Sequence, residues 1–321
     1  MSTEKSPEKS PTVVDAAAVT AALPPADAVA AVTDALTDPR TAFDPATDLP
    51  RRTAHTDHGH FLLMPSEVGE FAGVKVATVA PENPAQGLPR IQGTYLLHDA
   101  RTLSPLAVID GAALTTLRTP AVSVAAVLPT LRLLNRPLNL VVFGAGPQGV
   151  AHVDTLAAVL DRPFASVRFV VRNPDRADAA ARSLGPVLAT DSQDTLDALA
   201  AADLIVCATT ADTPLFQSGQ VRDDVVVIAV GSHEPNTREL DGGFLAGAAV
   251  IVEDVETAME TAGDIVLANY EGAVNRGDLI TLRAALTGPA VAPGRRPVVF
   301  KSVGMSWEDL VVAEAVYRRV S

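Results

Sequence analysis

Residues 140–149, Leu-Val-Val-Phe-Gly-Ala-Gly-Pro-Gln-Gly, constrain this chain more than any other stretch. A short β-branched and aromatic run ends in glycines spaced G-x-G-x-x-G, and an Ala-rich helical pattern follows. A strand, a tight turn and a helix opening in that order make a phosphate cradle for a dinucleotide. Gly144 is expected to let the chain turn sharply and Gly146 to let a pyrophosphate approach the backbone. Gly149 is expected to let the helix pack closely on its strand. The helix N-terminus then offers free N–H groups and partial positive charge to the phosphates.

Downstream, strands and helices alternate. Strands are expected at 140–143, 167–171, 187–189, 204–208, 225–230 and 249–252, with helices at 147–160, 175–184 and 192–201. This alternation predicts a parallel sheet covered on both faces, an α/β fold. Helices are also expected at 254–268 and 277–287, a strand at 298–302, and a final helix at 307–320 capped by Ser306. Glu308 and Asp309 stand in its first turn, where the helix dipole favours acids. Loops are expected at Thr41–Pro50, Gly288-Pro289 and 293–297.

Before the glycine loop the pattern differs. Residues 1–12 are rich in Ser, Lys, Glu and Pro and read as a disordered tail. An amphipathic helix follows Pro24-Pro25. A hairpin is expected around Asp57-His58-Gly59, with strands at 71–79, 94–99 and 105–110. Ala112–Leu117 reads as helical, and Thr119-Pro120 as the opening of a separate helix reaching Leu134. The cluster His55, His58 and His60 has metal-like composition, but the turn points its members apart, so no metal site is assigned. Asp99 and Asp110 read as turn residues, and His98 and His152 as ordinary surface or helix residues.

Hydrophobic residues make up 48% of the chain and aromatics only 4%, so the core is mostly Ala, Val and Leu. A net charge of -13 argues against nucleic acid and anionic membrane partners. The one cysteine, Cys207, sits in an apolar run and reads as a buried hydrophobe. No signal peptide and no run of membrane-spanning length is read, which gives an expectation of a soluble cytoplasmic protein.

The cofactor site extends beyond the glycines. The second strand of the alternating region ends at Arg172-Asn173, with Arg176 a helical turn on. An NAD-selective site usually carries Asp or Glu there, whereas a guanidinium suits a 2′-phosphate. NADP(H) is therefore favoured over NAD(H). Thr209 and Thr210 close the fourth strand, and Val230 closes the next. His233 follows within three residues, where a ring nitrogen is placed to exchange a proton with substrate.

On these and further segments the chain resembles the ornithine cyclodeaminase/mu-crystallin family. The matching stretches are 72–76 (Ala-Gly-Val-Lys-Val), 105–111, 117–123 (Leu-Arg-Thr-Pro-Ala-Val-Ser), 144–148, 231–235 with 238–240, and 301–304 (Lys-Ser-Val-Gly). The resemblance implies a Rossmann dinucleotide-binding domain (122–302) inserted into a discontinuous α/β substrate and dimerisation domain (13–121 and 303–321), and a homodimer. It implies that Arg52 and Arg118 bind a substrate carboxylate and that Lys75 is the active-site lysine. It places Thr94, Arg118, Pro147, Gln148, Arg172, Thr209, Thr210, Val230 and Ser302 at the dinucleotide, and Val303 at the substrate.

Two departures bear on the reaction. Cyclodeaminases of this family carry a proton-transferring Asp where this chain has His233, and a Glu where it has Leu62. The expected activity is therefore a single hydride transfer to or from a small imino or amino acid, with Lys75 and His233 catalytic. A cyclodeaminase-type ammonia lyase and an NADPH-dependent small-molecule binder are the alternatives.

Overall fold

The computed structural model describes residues 10–40, 43–292, 294 and 296–321. The elements before the glycine loop are β1 (Thr12–Val14), α1 (Ala16–Ala22), α2 (Pro25–Thr37), β2 (Arg52–Thr56), β3 (Gly59–Val68), β4 (Phe71–Val79), β5 (Ile91–Asp99), β6 (Pro105–Asp110) and α3 (Gly111–Leu133). After them come β7 (Asn139–Phe143), α4 (Pro147–Val159), β8 (Ser166–Val171), α5 (Ala179–Leu184), β9 (Val187–Ala189), α6 (Gln193–Ala201) and β10 (Leu204–Cys207). The remainder is β11 (Val226–Ala229), α7 (Gly242–Ala246), β12 (Ala249–Val252), α8 (Val255–Thr261), α9 (Gly263–Tyr270), β13 (Leu279–Thr281), α10 (Leu282–Thr287), β14 (Val298–Lys301) and α11 (Ser306–Val320).

Two compact units result. The first takes in Thr47–Arg118, Met305–Ser321 and the described residues up to Pro24. Its sheet has the order β1-β6-β5-β4-β3-β2, antiparallel except for the β1–β6 pair. Alternation along the strands buries Met64, Ser66 and Val68 of β3, Phe71, Gly73, Lys75 and Ala77 of β4, and Tyr95 and Leu97 of β5. Helix α11 packs on β3, β4 and β5. Trp307, Leu310, Val312, Ala313 and Val316 of α11 are fully buried.

The second unit takes in Pro25–Ala46 and Thr119–Gly304. Its eight strands are all parallel, in the order β13-β12-β14-β11-β10-β7-β8-β9. Strand order reverses at β7, between β8 on one side and β10 on the other. Such a reversal opens the crevice where α/β sheets bind ligands. The central strands are apolar throughout, as a sheet covered on both faces requires. Phe143, Phe216 and Phe244 form a ring cluster in this core, with centroids 6.0 Å and 5.2 Å apart.

Several sequence expectations change. The tail expected at 1–12 lies outside the described residues as far as Lys9, and Thr12 opens edge strand β1. Thr41 of the expected 41–50 loop and Pro293 and Arg295 of the 293–297 loop also lie outside them. The two helices expected around Thr119 are one 23-residue helix, α3, with Pro120 and Pro129 inside it. The buried face made by Ala121, Val122, Ala125 and Leu131 outweighs the two missing ladder hydrogen bonds. By length and composition α3 would suffice to cross a membrane, contrary to the sequence expectation, and 67% of that stretch is buried in the protein.

The stretch 277–287 holds the short strand β13 before α10, and the helix expected at 254–268 is broken at Ala262. The helix expected from 175 begins at Ala179, because Asn173 first caps a single 3₁₀ turn. Ser306 does not cap α11. Met305 holds that position, and the Trp307 N–H donates instead to Asp48 at 2.9 Å.

Candidate functional site

In the first unit, strand register decides which residues meet. Lys75 is opposite Met64 on one side and Tyr95 on the other, and this row faces α11. Side chains alternate between faces. Arg52 is opposite Leu63, which is opposite Val76, which is opposite Thr94. Arg52 and Thr94 therefore share the face away from Lys75, and the fold does not bring Arg52 to the lysine. Arg52 is exposed, and no carboxylate among the described residues pairs with it. Leu62, opposite Ala77, lies on the Lys75 face.

Lys75 and Arg118 do come together, through two acids that sequence reasoning treated as helix-dipole residues. Lys75 Nζ is 2.7 Å from Asp309 Oδ2 and 3.4 Å from the Thr115 hydroxyl. Arg118 Nε is 3.3 Å from Asp309 Oδ1, and Arg118 Nη1 bonds Glu308. Lys75 and Arg118 are 4% and 6% exposed, and both acids are fully buried. Two cations and two anions thus cancel inside the unit. Burial lowers the Lys75 pKa to about 8, Asp309 opposes that shift, and the Arg118 charge adds to it.

Two more groups complete this cluster. Tyr95 is fully buried, and its hydroxyl has no hydrogen-bond partner among the described residues. Burial first, then the Asp309 and Asp48 carboxylates, hold this phenol well above its ordinary pKa, so it stays neutral. Gly73 makes room for it, since a methyl there would stand 2.3 Å from the hydroxyl oxygen. Asp48 accepts from the Ser66 hydroxyl at 2.7 Å as well as from Trp307 N.

In the second unit the three glycines have distinct geometry. Gly144 has φ +98°, and a Cβ there would stand 2.3 Å from Ala208 O, across the strand-order reversal. A Cβ on Gly149 would stand 2.1 Å from Gly144 O. Gly146, the N-cap of α4, has no heavy atom within 4 Å of its Cβ position. The loop is therefore closed where it packs and open at the one glycine expected to meet a pyrophosphate. Pro147 sits in the first turn, where its missing N–H is harmless, with Gln148 beside it half-buried.

Arg172 and Arg176 are exposed just beyond β8, and no side-chain partner among the described residues holds them. The Asn173 side chain is engaged in its cap, accepting from Asp175 N at 3.1 Å. Arginines free at this strand end, a helix N-terminus and an open glycine fit a phosphorylated dinucleotide.

The loops after β10, β11 and β14 are held by buried acids that the sequence did not reveal. Glu239 accepts from Thr209 N at 2.9 Å, Thr209 Oγ1 at 2.7 Å and Gly231 N at 2.7 Å. Asp264 accepts from Glu239 N and Leu240 N, both at 2.8 Å, and pairs with Lys301 Nζ at 2.9 Å. Lys301 also donates to Ser232 O at 2.5 Å. Glu253 accepts from Ser302 Oγ at 2.6 Å, Val303 N at 3.1 Å and Gly304 N at 2.9 Å.

Thr209, Ser302 and Val303 thus spend these donors on the protein itself, while Thr210 is exposed and Val230 half-buried. His233 is exposed, with Nδ1 3.2 Å from Gly231 O. In the neutral ring Nδ1 carries the proton donated to that carbonyl.

His152 is not a surface residue. It is fully buried, with Nδ1 2.8 Å from Gln148 O and Nε2 3.1 Å from Ser123 Oγ, and burial lowers its pKa to about 4. His55 and His60 face each other across the β2–β3 hairpin at 5.8 Å between ring centroids.

One signal for Asp309 was present in the sequence. Positions 309, 312, 313 and 316 lie on one face of α11, and three of the four are apolar. An acid on such a stripe calls for a buried cation. No local signal named the partner, because Lys75 lies 234 residues away.

Comparison with known proteins agrees with this architecture. The sequence profile of the ornithine cyclodeaminase/mu-crystallin family matches residues 10–321. A Delta(1)-pyrroline-2-carboxylate reductase of Bacillus cereus is 34% identical over 269 residues, covering 80% of this chain and 81% of the relative. The ketimine reductase mu-crystallin of Mus musculus is 32% identical over 266 residues, 81% of this chain and 80% of the relative. In fold, the chain is similar to Thermococcus litoralis Delta(1)-pyrroline-2-carboxylate reductase, solved with NADH and L-proline. The TM-score is 0.82 at 24% identity, over 96% of this chain and 97% of that one. The fold and site define an α/β protein built around a dinucleotide-binding parallel sheet. The chain belongs to the ornithine cyclodeaminase/mu-crystallin family.

Proposed function

We propose that this protein is an NAD(P)H-dependent reductase of small cyclic imino acids, able in reverse to oxidise the matching amino acid. The observation that carries this reading is a chain with two features together. One is a glycine cradle open only at Gly146, and the other is a buried Lys75–Arg118 pair with Leu62 on its face. The relatives named above are reductases of this substrate class, which supports it.

The dinucleotide supplies the hydride. Gly144–Gly149 and the α4 N-terminus are the groups suited to its pyrophosphate. Arg172 and Arg176 suit a 2′-phosphate, which favours NADPH. Arg118, which shares Asp309 with Lys75, is the guanidinium suited to meet the substrate carboxylate, whereas Arg52 lies on the other face of the sheet. Lys75 presents an ammonium that polarises a C=N bond, and His233 takes up or returns a proton. With Leu62 and His233 in place of two acids, the chain lacks the groups a cyclodeaminase would use on a second amine.

A homodimer fits the first unit. Its sheet ends in the wholly exposed strand β2, and Phe61 on the neighbouring strand β3 is 41% exposed. A second copy would cover that surface. The test of function is NADPH oxidation with a panel of cyclic imino acids. Tight NADPH binding without turnover on any of them refutes the reductase reading, and ammonia release from ornithine without net cofactor change replaces it with the lyase.

A further inference from the structure

The chain has 25 basic residues, and only four are lysine: Lys5, Lys9, Lys75 and Lys301. Both lysines among the described residues are buried, at 4% and 0% exposure, and each is paired with an aspartate. Arginine provides positive charge everywhere else in the fold. Lysine differs in being a compact ammonium that gives up its proton within reach of neutral pH when buried. A sequence that uses arginine so consistently keeps lysine at these two places.

The two are employed differently. Lys301 directs its ammonium to Asp264 and to Ser232 O, both short contacts, and holds a loop. Lys75 has one short contact, to Asp309 at 2.7 Å, and one long one, to Thr115 at 3.4 Å. An ammonium has three N–H donors. One donor of Lys75 therefore has no acceptor among the described residues. The charged groups acting on it are Asp309 and Glu308 from α11 and Arg118 from α3, with the Thr115 hydroxyl of α3 at 3.4 Å and Tyr95 of β5 its cross-strand neighbour.

We propose that Asp309 is the positioning residue for Lys75: it fixes the direction of the ammonium and keeps it charged against the guanidinium of Arg118. This rests on the reductase reading above. Asp309 bridges both cations, one carboxylate oxygen to each, so it sets their separation as well as the lysine's orientation. Without its charge, Lys75 keeps burial and the Arg118 repulsion and loses its nearest anion. Glu308, engaged with Arg118, restores only part of that charge. The amine then sheds its proton at lower pH.

The test uses the full chain labelled with ¹³Cε-lysine. Only four lysines contribute signals, and Lys75 is assigned by its loss in Lys75→Met. In Asp309→Asn the Lys75 titration should move down by about one pH unit or more. The alkaline limb of kcat/KM for imine reduction should move with it, while KM for NADPH stays within about twofold. A purely structural role would leave that limb in place. An unchanged Lys75 titration in folded Asp309→Asn overturns the inference, even if turnover is normal.

If wild-type protein reduces no imine but the titration shifts, the reductase reading fails and the Lys75–Asp309 coupling stands. If Asp309→Asn does not fold, Asp309→Glu carries the test. The displaced carboxylate should lower kcat about tenfold or more without moving the alkaline limb. An unchanged kcat overturns the positioning role.

Discussion

Replacing each of two glycines by alanine separates the fold from the cofactor within one loop. At Gly149 the added methyl would stand 2.1 Å from Gly144 O, 3.1 Å from Val142 Cγ1 and 3.2 Å from Gly144 C. Two of these atoms belong to backbone, so helix α4 or the turn after β7 must move by about 1 Å to restore ordinary contact, an overpacking cost of about 1–3 kcal/mol. Alanine's better helix propensity returns less than about 1 kcal/mol. At Gly146 the methyl meets nothing within 4 Å, and φ -87°, ψ -174° suits alanine. Its fold cost is that of a poorer N-cap, about 0.5–1 kcal/mol.

The same methyl at Gly146 fills the space argued to receive a pyrophosphate. NADPH affinity should fall about tenfold or more, or about 1.4 kcal/mol. Urea denaturation followed by circular dichroism, with NADPH titration by fluorescence, reads both effects. Gly149→Ala should be the less stable variant and Gly146→Ala the weaker binder at near-normal stability. A Gly146→Ala protein that binds NADPH as wild type does would refute the placement of the pyrophosphate. A Gly149→Ala protein of wild-type stability would refute the packing argument.

Other expectations are independent of that loop. Arg172→Asp should weaken NADPH relative to NADH, and an unchanged ratio of dissociation constants would remove Arg172 from the 2′-phosphate. Lys75→Met should abolish imine reduction and, by leaving Asp309 without its nearest cation, destabilise the fold by about 3–5 kcal/mol; Lys75→Met/Asp309→Asn should recover part of that loss in denaturant melts. In wild-type protein kcat/KM should decline above pH 8, where Lys75 loses its proton, and a rate that stays flat to pH 10 would contradict a charged lysine at work. His152 binds its proton near pH 6.5 when unfolded but only near 4 when folded, so its contribution to stability is full above 6.5 and is lost as pH falls toward 4. His152→Gln should flatten that part of the stability–pH curve.

Local patterns and distant partners were unequally legible in the sequence. The glycine loop could be read because its constraints lie within six residues: the positive φ of Gly144, the open Gly146 and the packed Gly149 all follow from spacing. The parallel sheet could be read because strands covered on both faces are continuously apolar. The three-residue β13 carried too few residues for a period, and Pro120 suggested a helix boundary that burial of α3 overrides.

The partners of the acids were hidden for a different reason. Asp309 and Glu308 sit in a first turn where the helix dipole already accounts for them, and their cations lie 234 and 190 residues away. Glu239, Asp264 and Glu253 likewise bond loop N–H groups and a lysine that only the closed sheet brings near. Arg52 shows the converse. The family resemblance placed it with Lys75, and a period-two register puts the two on opposite faces.

Hydride transfer between a nicotinamide and a cyclic imino acid is the activity proposed for this chain. The most direct measurement is the stoichiometry of NADPH oxidised to amino acid formed, with Delta(1)-pyrroline-2-carboxylate as the first substrate and six-membered cyclic imines beside it. One NADPH should be consumed per cyclic amino acid produced, with the activity abolished in Lys75→Met. Bound NADPH that is never consumed with any of these substrates would contradict the proposal.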